Sequence, residues 1–107
     1  MKRGDIVPVV LAGHYGKPRP ALIIQSDFFD SHPSVTVLPI TSELRKTPLF
    51  RITVEPSKEN GLKVISQIMI DKTHTVPKEK LGKPFGKISD EMMLSVNRAL
   101  AVFLGFA

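Results

Sequence analysis

The run ALIIQ at residues 21–25 is short and almost wholly apolar, which is typical of a strand buried on both faces. A second run, VTVLPI at residues 35–40, predicts a neighbouring strand. Before both, IVPVVL at residues 6–11 is rich in β-branched residues, and its Pro8, which has no N–H to donate, predicts an edge strand or a bulge. Residues 12–20 contain two glycines and two prolines, so we expect an irregular loop there.

Short segments after these runs continue the pattern of strands and turns. SDFFD at residues 26–30 predicts a capped helical turn. FRITV at residues 50–54 alternates apolar and polar side chains, as a half-buried strand does, and ENGL at residues 59–62 supplies a hairpin-type turn. SQIMID at residues 66–71 predicts another strand, and a further helical turn begins at Pro77.

The last segment predicts an α-helix. Ser89 is a good N-cap, Asp90 and Glu91 favour the positive end of the helix dipole, and Gly105 ends the run. Four apolar residues at helical spacing predict the face that packs on the core: Met93, Val96, Leu100 and Phe103. Strands followed by a terminal helix indicate a mainly β protein with some α structure, a small antiparallel barrel or curled sheet. With no linker or repeat, we expect residues 1–107 to form a single domain.

Composition excludes several classes of protein. The chain has no cysteine, which excludes disulfides, thiolate nucleophiles, zinc fingers and iron–sulfur clusters. Lysine and arginine number 15 against 10 aspartate and glutamate, and the net charge of +5 suits either a polyanionic partner or a solvated basic surface. The N-terminus does not resemble a secretion signal and no apolar run is long enough to span a bilayer, so we expect a soluble cytoplasmic protein with no membrane partner.

No familiar motif predicts a cofactor or a metal. The sequence contains no glycine-rich dinucleotide or P-loop motif and no H-E-x-x-H zinc motif. His14, His32 and His74 lie in separate segments with few carboxylates nearby, so we expect neither a metal site nor a cofactor. No serine lies in a nucleophile-elbow context, which disfavours an acyl-transfer hydrolase.

Two short segments carry groups suited to phosphate. In KPRP at residues 17–20, two prolines restrict the backbone around Arg19, whose planar guanidinium matches a phosphate. Thr41 and Ser42 follow a strand, and their hydroxyls and backbone N–H groups suit an anion-binding turn. Each segment also has a purely structural interpretation, as a surface arginine in the first case and as a cap or turn in the second.

Taken in order, these segments resemble the MazF/PemK-type toxins of bacterial toxin–antitoxin systems. The resemblance extends over residues 3–106. It rests on five motifs in register: RGD at residues 3–5 before an apolar strand, GKPRPALIIQS at 16–26, PITS at 39–42, SQIMIDK at 66–72, and LG at 81–82 through GKISDE at 86–91 with the closing helix.

The resemblance implies a fold, an activity and partners. The fold is a small SH3-like β-barrel with helices, generally a homodimer whose interface grooves bind RNA. The activity is that of a metal-independent endoribonuclease, which cleaves single-stranded RNA at a short sequence to a 2′,3′-cyclic phosphate and a 5′-hydroxyl and so inhibits translation. The partner is an antitoxin, expected to be a small protein whose acidic, disordered tail folds onto the basic groove.

The resemblance also implies roles for individual residues. Arg19 matches the active-site arginine and Thr41 the active-site threonine of the family, so both are predicted to be catalytic. Arg19 would clamp the phosphate and stabilise the transition state, and Thr41 would hold a phosphate oxygen or the attacking hydroxyl. The predicted RNA-binding residues are His14, Lys17, Ser42 and Gln67.

The sequence departs from the family pattern just before Gln67, where Ser66 stands in place of the acidic residue of many relatives. No carboxylate base is available there, and Asp71 cannot be assumed to replace it, which leaves the general base unassigned. An imidazole ordinarily titrates near neutrality, so His14 is one candidate, with a plain loop histidine as the alternative. Two other functions stay open on this fold: a CcdB-type gyrase poison, and a catalytically silent barrel that binds antitoxin or RNA.

Overall fold

The computed structural model describes residues 1–11 and 16–106. Two short 3-10 helices, Asp27–Phe29 and Lys78–Lys80, confirm the predicted helical turns. The longer elements are β1 (Asp5–Val10), β2 (Pro18–Ile23), β3 (Ser34–Thr41), β4 (Arg51–Val54), β5 (Ser66–Met69), β6 (His74–Pro77), β7 (Gly86–Lys87) and the helix α1 (Asp90–Leu104).

The strands of the described residues pair in antiparallel fashion and form one sheet in the order β4-β5-β3-β2-β1-β7. The central strand is β3, which pairs with β2 along one edge. Its other edge pairs first with β6 and then, at Ile40 and Thr41, with β5. Because two strands share that edge in succession, the sheet curls into a half-barrel with α1 packed against one face. The predicted antiparallel β architecture with a C-terminal helix is confirmed.

Prolines lie inside the strands of this sheet. Pro18 and Pro20 belong to β2, so the prediction of an irregular loop through residue 20 was wrong. Pro20 lies opposite Pro8 of β1, and because alternate pairs of an antiparallel ladder exchange no hydrogen bonds, two residues without N–H groups fit there. The Pro8 carbonyl faces the other way and accepts a hydrogen bond from the Gly82 N–H at 2.8 Å. β1 is therefore paired on both sides, with β2 and, at its start, with β7.

Alternation along the strands divides the core into two clusters, one on each face of the sheet. The cluster between α1 and the sheet contains the larger side chains. Its members include Ile6, Leu22, Leu38 and Ile68 from the sheet and Val96 from the helix. The cluster on the opposite face, which we call the β-cluster, contains Val7, Val9, Leu11, Ala21, Ile23, Val35, Val37 and Val76. Both faces of β2 are therefore buried at residues 21–23, as the apolar run predicted.

The helix α1 begins and ends where the sequence predicts. Ser89 Oγ accepts a hydrogen bond from the Met92 N–H at 3.1 Å, and Gly105 ends the helix in the left-handed conformation with φ of +84°. The predicted core stripe is buried at three positions, but Phe103 is 49% exposed, so its assignment to the core was wrong. The last turn extends beyond the sheet, and the core contacts of the stripe end at Leu100. Among the described residues, no helix is both long and apolar enough to cross a membrane.

The connection between β4 and β5 is longer than the predicted hairpin-type turn. It occupies residues 55–65 and is organised by the buried side chain of Asn60. Its Oδ1 accepts hydrogen bonds from the N–H groups of Ser57 and Leu62 at 3.0 and 2.9 Å, and its Nδ2 donates to the Glu55 carbonyl at 2.8 Å. These bonds fix the path of the connection, which supplies part of the wall of the candidate site.

Candidate active site

The pairing of β2 with β3 brings together the two residues predicted to be catalytic. The β2–β3 ladder ends where Ala21 lies opposite Pro39, and Arg19 and Thr41 each lie two residues beyond that pair on their own strands. Residues two positions apart on a strand share a face, so Arg19 lies on the face of Ala21 and Thr41 on the face of Pro39. Both side chains therefore lie at one end of the sheet face that carries the β-cluster.

A cleft of about 550 Å³ opens at this end of the sheet. Arg19, Thr41 and Ser42 all line it, and its volume is within the usual range of small-ligand clefts, about 300–1,000 Å³. The other lining residues are Leu11, Pro20, Pro39, Ile40, Glu43, Leu62, Lys63, Val64, Ser66 and Met69. The site thus combines one end of the sheet with the connection between β4 and β5.

Arg19 is exposed and reaches the cleft from β2. The extended backbone between Pro18 and Pro20 limits the orientations of its side chain, and no carboxylate among the described residues forms an ion pair with it. Its guanidinium is therefore available to bind an anion. Lys17, just before β2, is also exposed but does not line the cleft.

Thr41 holds the turn that follows β3. Its Oγ1 accepts a hydrogen bond from the Glu43 N–H at 3.0 Å, as in the cap or turn that the sequence allowed. The same bond occupies one backbone N–H that an anion-binding turn would require. The Thr41 hydroxyl can still donate its hydrogen to another acceptor, and Ser42 is exposed beside it. One guanidinium and two hydroxyls are donors well suited to phosphate oxygens.

Gln67 lies outside the cleft, and its amide is used within the protein. It is only 6% exposed. Its Oε1 accepts a hydrogen bond from the Arg45 N–H at 2.9 Å, and its Nε2 donates to the Arg45 carbonyl at 3.0 Å and to Thr53 Oγ1 at 3.2 Å. These bonds attach the segment at residues 43–47 to β5 and β4. These bonds give Gln67 a supporting role. Because Gln67 also lines a neighbouring cleft with Arg45, Lys46 and Arg51, its contact with RNA stays a prediction.

The other residues considered for proton transfer are placed differently. Ser66 lines the cleft, but it is buried and its Oγ donates to the Val64 carbonyl at 2.9 Å. Asp71 does not line the cleft, and one of its carboxylate oxygens lies 3.9 Å from Lys72 Nζ. His14 lies outside the described residues.

Sequence reasoning missed two charged residues of the cleft, Glu43 and Lys63. Glu43 supplies the single carboxylate among the described residues that line it. Arg45 Nη2 donates to Glu43 Oε1 at 2.8 Å, and this hydrogen bond, with the charges of Arg45 and Arg51, lowers the pKa of the Glu43 carboxyl. The position of Glu43, directly after the Thr41-Ser42 pair, was the signal available in the sequence. The position of Lys63 in the cleft depends on the path of the connection around Asn60, which no local motif reveals.

A second cleft, which we call the basic cleft, borders the same segment and has a volume of about 370 Å³. Three cationic side chains line it, Arg45, Lys46 and Arg51, and no carboxylate among the described residues does. Arg51 Nη1 also donates to the Glu43 carbonyl at 3.0 Å, which links the two clefts through the 43–47 segment. The charge of this cleft suits a second phosphate group.

The described residues also include no group of three or more His, Cys, Asp or Glu side chains that could hold a metal ion. The polar groups of the site include a guanidinium, hydroxyls and one carboxylate. The segment that carries the carboxylate is held by hydrogen bonds to β4 and β5.

Comparison with known proteins identifies the family. Residues 2–104 match the family described as PemK-like, MazF-like toxin of type II toxin-antitoxin system. The chain belongs to this family. The probable endoribonuclease MazF of Mycolicibacterium smegmatis is 48% identical over 108 residues, covering 100% of this chain and 99% of the relative. Endoribonuclease EndoA of Bacillus subtilis is 30% identical over 109 residues, covering 97% and 94%.

Solved structures of toxins share the PemK/MazF fold of this chain. Mycobacterium tuberculosis toxin MazF-mt6 superposes with a TM-score of 0.78 at 26% identity, over 92% of this chain and 93% of that one. An endoribonuclease in complex with its cognate antitoxin, from a mycobacterial species, gives a TM-score of 0.83 over 100% and 97% of the two chains. At 24% identity this second likeness supports the fold alone. The family resemblance of the sequence is therefore confirmed.

Proposed function

We propose that this PemK/MazF-family toxin is an endoribonuclease that cleaves single-stranded RNA without a metal and so inhibits translation. The observation that carries the proposal is the single cleft that Arg19, Thr41 and Ser42 line together. Relatives that align with nearly the whole chain are named endoribonucleases, which supports the same activity.

The chemistry requires little beyond what this cleft offers. In RNA the 2′-hydroxyl beside each phosphate is an internal nucleophile, so the protein has only to position the phosphate, stabilise its developing charge and transfer protons. The attack forms a 2′,3′-cyclic phosphate and releases a 5′-hydroxyl. DNA lacks the nucleophile and is expected to stay intact.

The groups of the cleft then have distinct roles. Arg19 binds the scissile phosphate and stabilises the extra negative charge of the transition state, since a guanidinium stays protonated at neutral pH. Thr41 donates its hydroxyl hydrogen to a phosphate oxygen, and Ser42 contacts the RNA beside it. Gln67 acts as a positioning residue by holding the 43–47 segment, while Lys17 and the basic cleft attract the flanking phosphates.

The same proposal includes the partners. An antitoxin with an acidic tail fits the net charge of +5 and would cover the cationic side chains of the cleft. We further propose that the toxin acts in the cytoplasm as a homodimer.

The decisive experiment incubates the protein, in the presence of EDTA, with a long single-stranded RNA and with DNA of the same sequence. We expect discrete RNA cuts that end in a cyclic phosphate by mass spectrometry, and intact DNA. Arg19→Ala should lower the cleavage rate by roughly 10²- to 10³-fold, as the loss of one preorganised donor typically does. Lys58→Ala, on an exposed residue outside both clefts, serves as the control and should cut at the wild-type rate.

Intact RNA across diverse sequences would contradict the proposal. A DNA-supercoiling assay with gyrase would then distinguish a gyrase poison from a silent binding barrel. Equal cleavage by wild type and Arg19→Ala would point to a contaminating nuclease.

A further inference from the structure

We propose that Glu43 is the general base that takes the proton from the attacking 2′-hydroxyl of the RNA. This inference rests on the ribonuclease activity proposed above and assigns the one role that the sequence left open. Glu43 lines the cleft together with Arg19 and Thr41, and no other carboxylate among the described lining residues does.

Position is the first argument for Glu43. Its backbone N–H lies 3.0 Å from Thr41 Oγ1, which fixes the start of its side chain next to a group proposed to contact the phosphate. The Arg51 guanidinium donates to the Glu43 carbonyl at 3.0 Å, which holds the same residue from the side of β4. The backbone of Glu43 is therefore tied at two points beside the cleft that this residue lines.

The surrounding charges are the second argument. Arg45 forms a hydrogen bond with one carboxylate oxygen, which leaves the other free to accept a proton. The charged groups that face this region are Arg45 from the same segment, Arg51 from β4, Arg19 from β2 and Lys63 from the connection after β4. All are cations, so the carboxylate is ionised at neutral pH and able to accept a proton. The same charges weaken it as a base, so the assignment rests on its position in the cleft.

The alternatives within the described cleft are weaker. Ser66 occupies the position where many relatives carry an acid, but its hydroxyl donates to a carbonyl and an un-ionised hydroxyl is a poor base. Asp71 does not line the cleft. Glu43 thus supplies, from the turn after β3, the carboxylate that the sequence lacks before Gln67.

The proposed step balances in atoms and charge. The 2′-hydroxyl transfers its proton to Glu43 and its oxygen forms a bond to phosphorus, while the bond between phosphorus and the 5′-oxygen breaks. The leaving 5′-oxygen takes a proton from water, and protonated Glu43 returns its proton to solvent. Arg19 stabilises the charge on the phosphorane in between.

The test measures single-turnover cleavage at saturating protein, on an RNA whose cut site has first been mapped. Glu43→Gln keeps the size of the side chain and should lower the rate by roughly 10²-fold or more, the usual contribution of a general base. Glu43→Asp should recover part of that loss because it restores a carboxylate. Binding of the same RNA with a 2′-deoxyribose at the cut site should be unchanged in Glu43→Gln. Glu59→Gln, in a different cleft, is the matched control.

The pH dependence separates a base from a structural residue. The wild-type rate should fall only in acid, as the pH drops through the lowered pKa of Glu43. Arg45→Met removes the hydrogen bond and charge that lower this pKa, so the acidic limb should move to higher pH. The backbone groups of Arg45 still bind Gln67 in this variant.

Three results would overturn the assignment while the ribonuclease activity stands. The first is a Glu43→Gln cleavage rate within about threefold of wild type. The others are an acidic limb of the pH–rate profile that Arg45→Met does not move, or a limb near neutrality that His14→Gln abolishes. If the wild-type protein does not cut RNA at all, the proposed function fails and this role fails with it.

Discussion

Replacing Gln67 by alanine tests whether this side chain supports the candidate site or touches RNA. The side chain makes three hydrogen bonds of ordinary length, two with the backbone of Arg45 and one with Thr53 Oγ1, and it accepts a fourth, longer one from Arg51 Nη1 at 3.5 Å. Each is worth about 0.5–1.5 kcal/mol net, and since Arg45 and Thr53 are exposed, water partly replaces the lost partner. We therefore expect the free energy of unfolding to fall by about 2 kcal/mol, which corresponds to a decrease in Tm of roughly 10 °C.

The same substitution should also lower activity, through the segment that carries Ser42 and Glu43. Displacing catalytic groups by about 1 Å can cost on the order of 10²-fold in rate, and the segment at residues 43–47 loses its attachment to β5 in this variant. Urea unfolding followed by circular dichroism measures the stability. Cleavage of a mapped RNA at saturating concentration measures the rate, well below the midpoint of unfolding.

Gln25 provides a matched control at a distance from the cleft. Its amide also makes three hydrogen bonds to backbone groups, those of Phe29, Ser34 and Thr36, at 3.1–3.2 Å. Gln25→Ala should lose comparable stability and keep its activity. A Gln67→Ala protein that is as stable as wild type and loses only RNA affinity would contradict the supporting role, because that pattern belongs to a residue that contacts RNA directly.

Two further substitutions test the supports of the fold. Gly86→Ala would place a Cβ against the backbone carbonyl of Asn60, so we expect urea unfolding to show a loss of about 1–3 kcal/mol in the free energy of unfolding. Lys87→Ala in the same strand is the near-neutral control. An unchanged midpoint in Gly86→Ala would contradict this close packing of β7. Ser89→Ala removes the N-cap of α1 and should lower the free energy of unfolding by about 1 kcal/mol, whereas Ser89→Asp should retain most of the stability. Equal losses in both variants would show that the cap hydrogen bond does not stabilise the helix.

Local sequence patterns predicted the elements that carry their own signals. The helix α1 has a capping serine, acidic residues in its first turn and a terminal glycine, and the structure places all of them as expected. The apolar runs likewise form the buried centre of the sheet, at residues 21–23 and 37–40, although the first strand ends two residues earlier than its run. The short strands β6 and β7 were not predicted, because two to four mostly polar residues carry no alternating pattern and pair only through partners distant in sequence.

The residues of the candidate site also differ in whether local sequence or long-range structure determines their position. Arg19 and Thr41 were found from short motifs, and they line one cleft because β2 and β3 are neighbours in the sheet. Glu43 was missed because a glutamate after a strand is ordinary in sequence, and its place in the cleft depends on the turn closed by Thr41. The supporting role of Gln67 depends on the backbone of Arg45, 22 positions away, which no local pattern discloses.

The opposed prolines of β1 and β2 also restrict how these strands can mispair. Pro8 and Pro20 tolerate each other only where the ladder exchanges no hydrogen bond. A slip by one residue would place one of the two prolines at a position that needs an N–H, and it would turn the β-cluster side chains of that strand toward the wrong face. The prolines therefore disfavour a shifted pairing of β1 with β2, and the native pairing is the one that sets Arg19 opposite Val9.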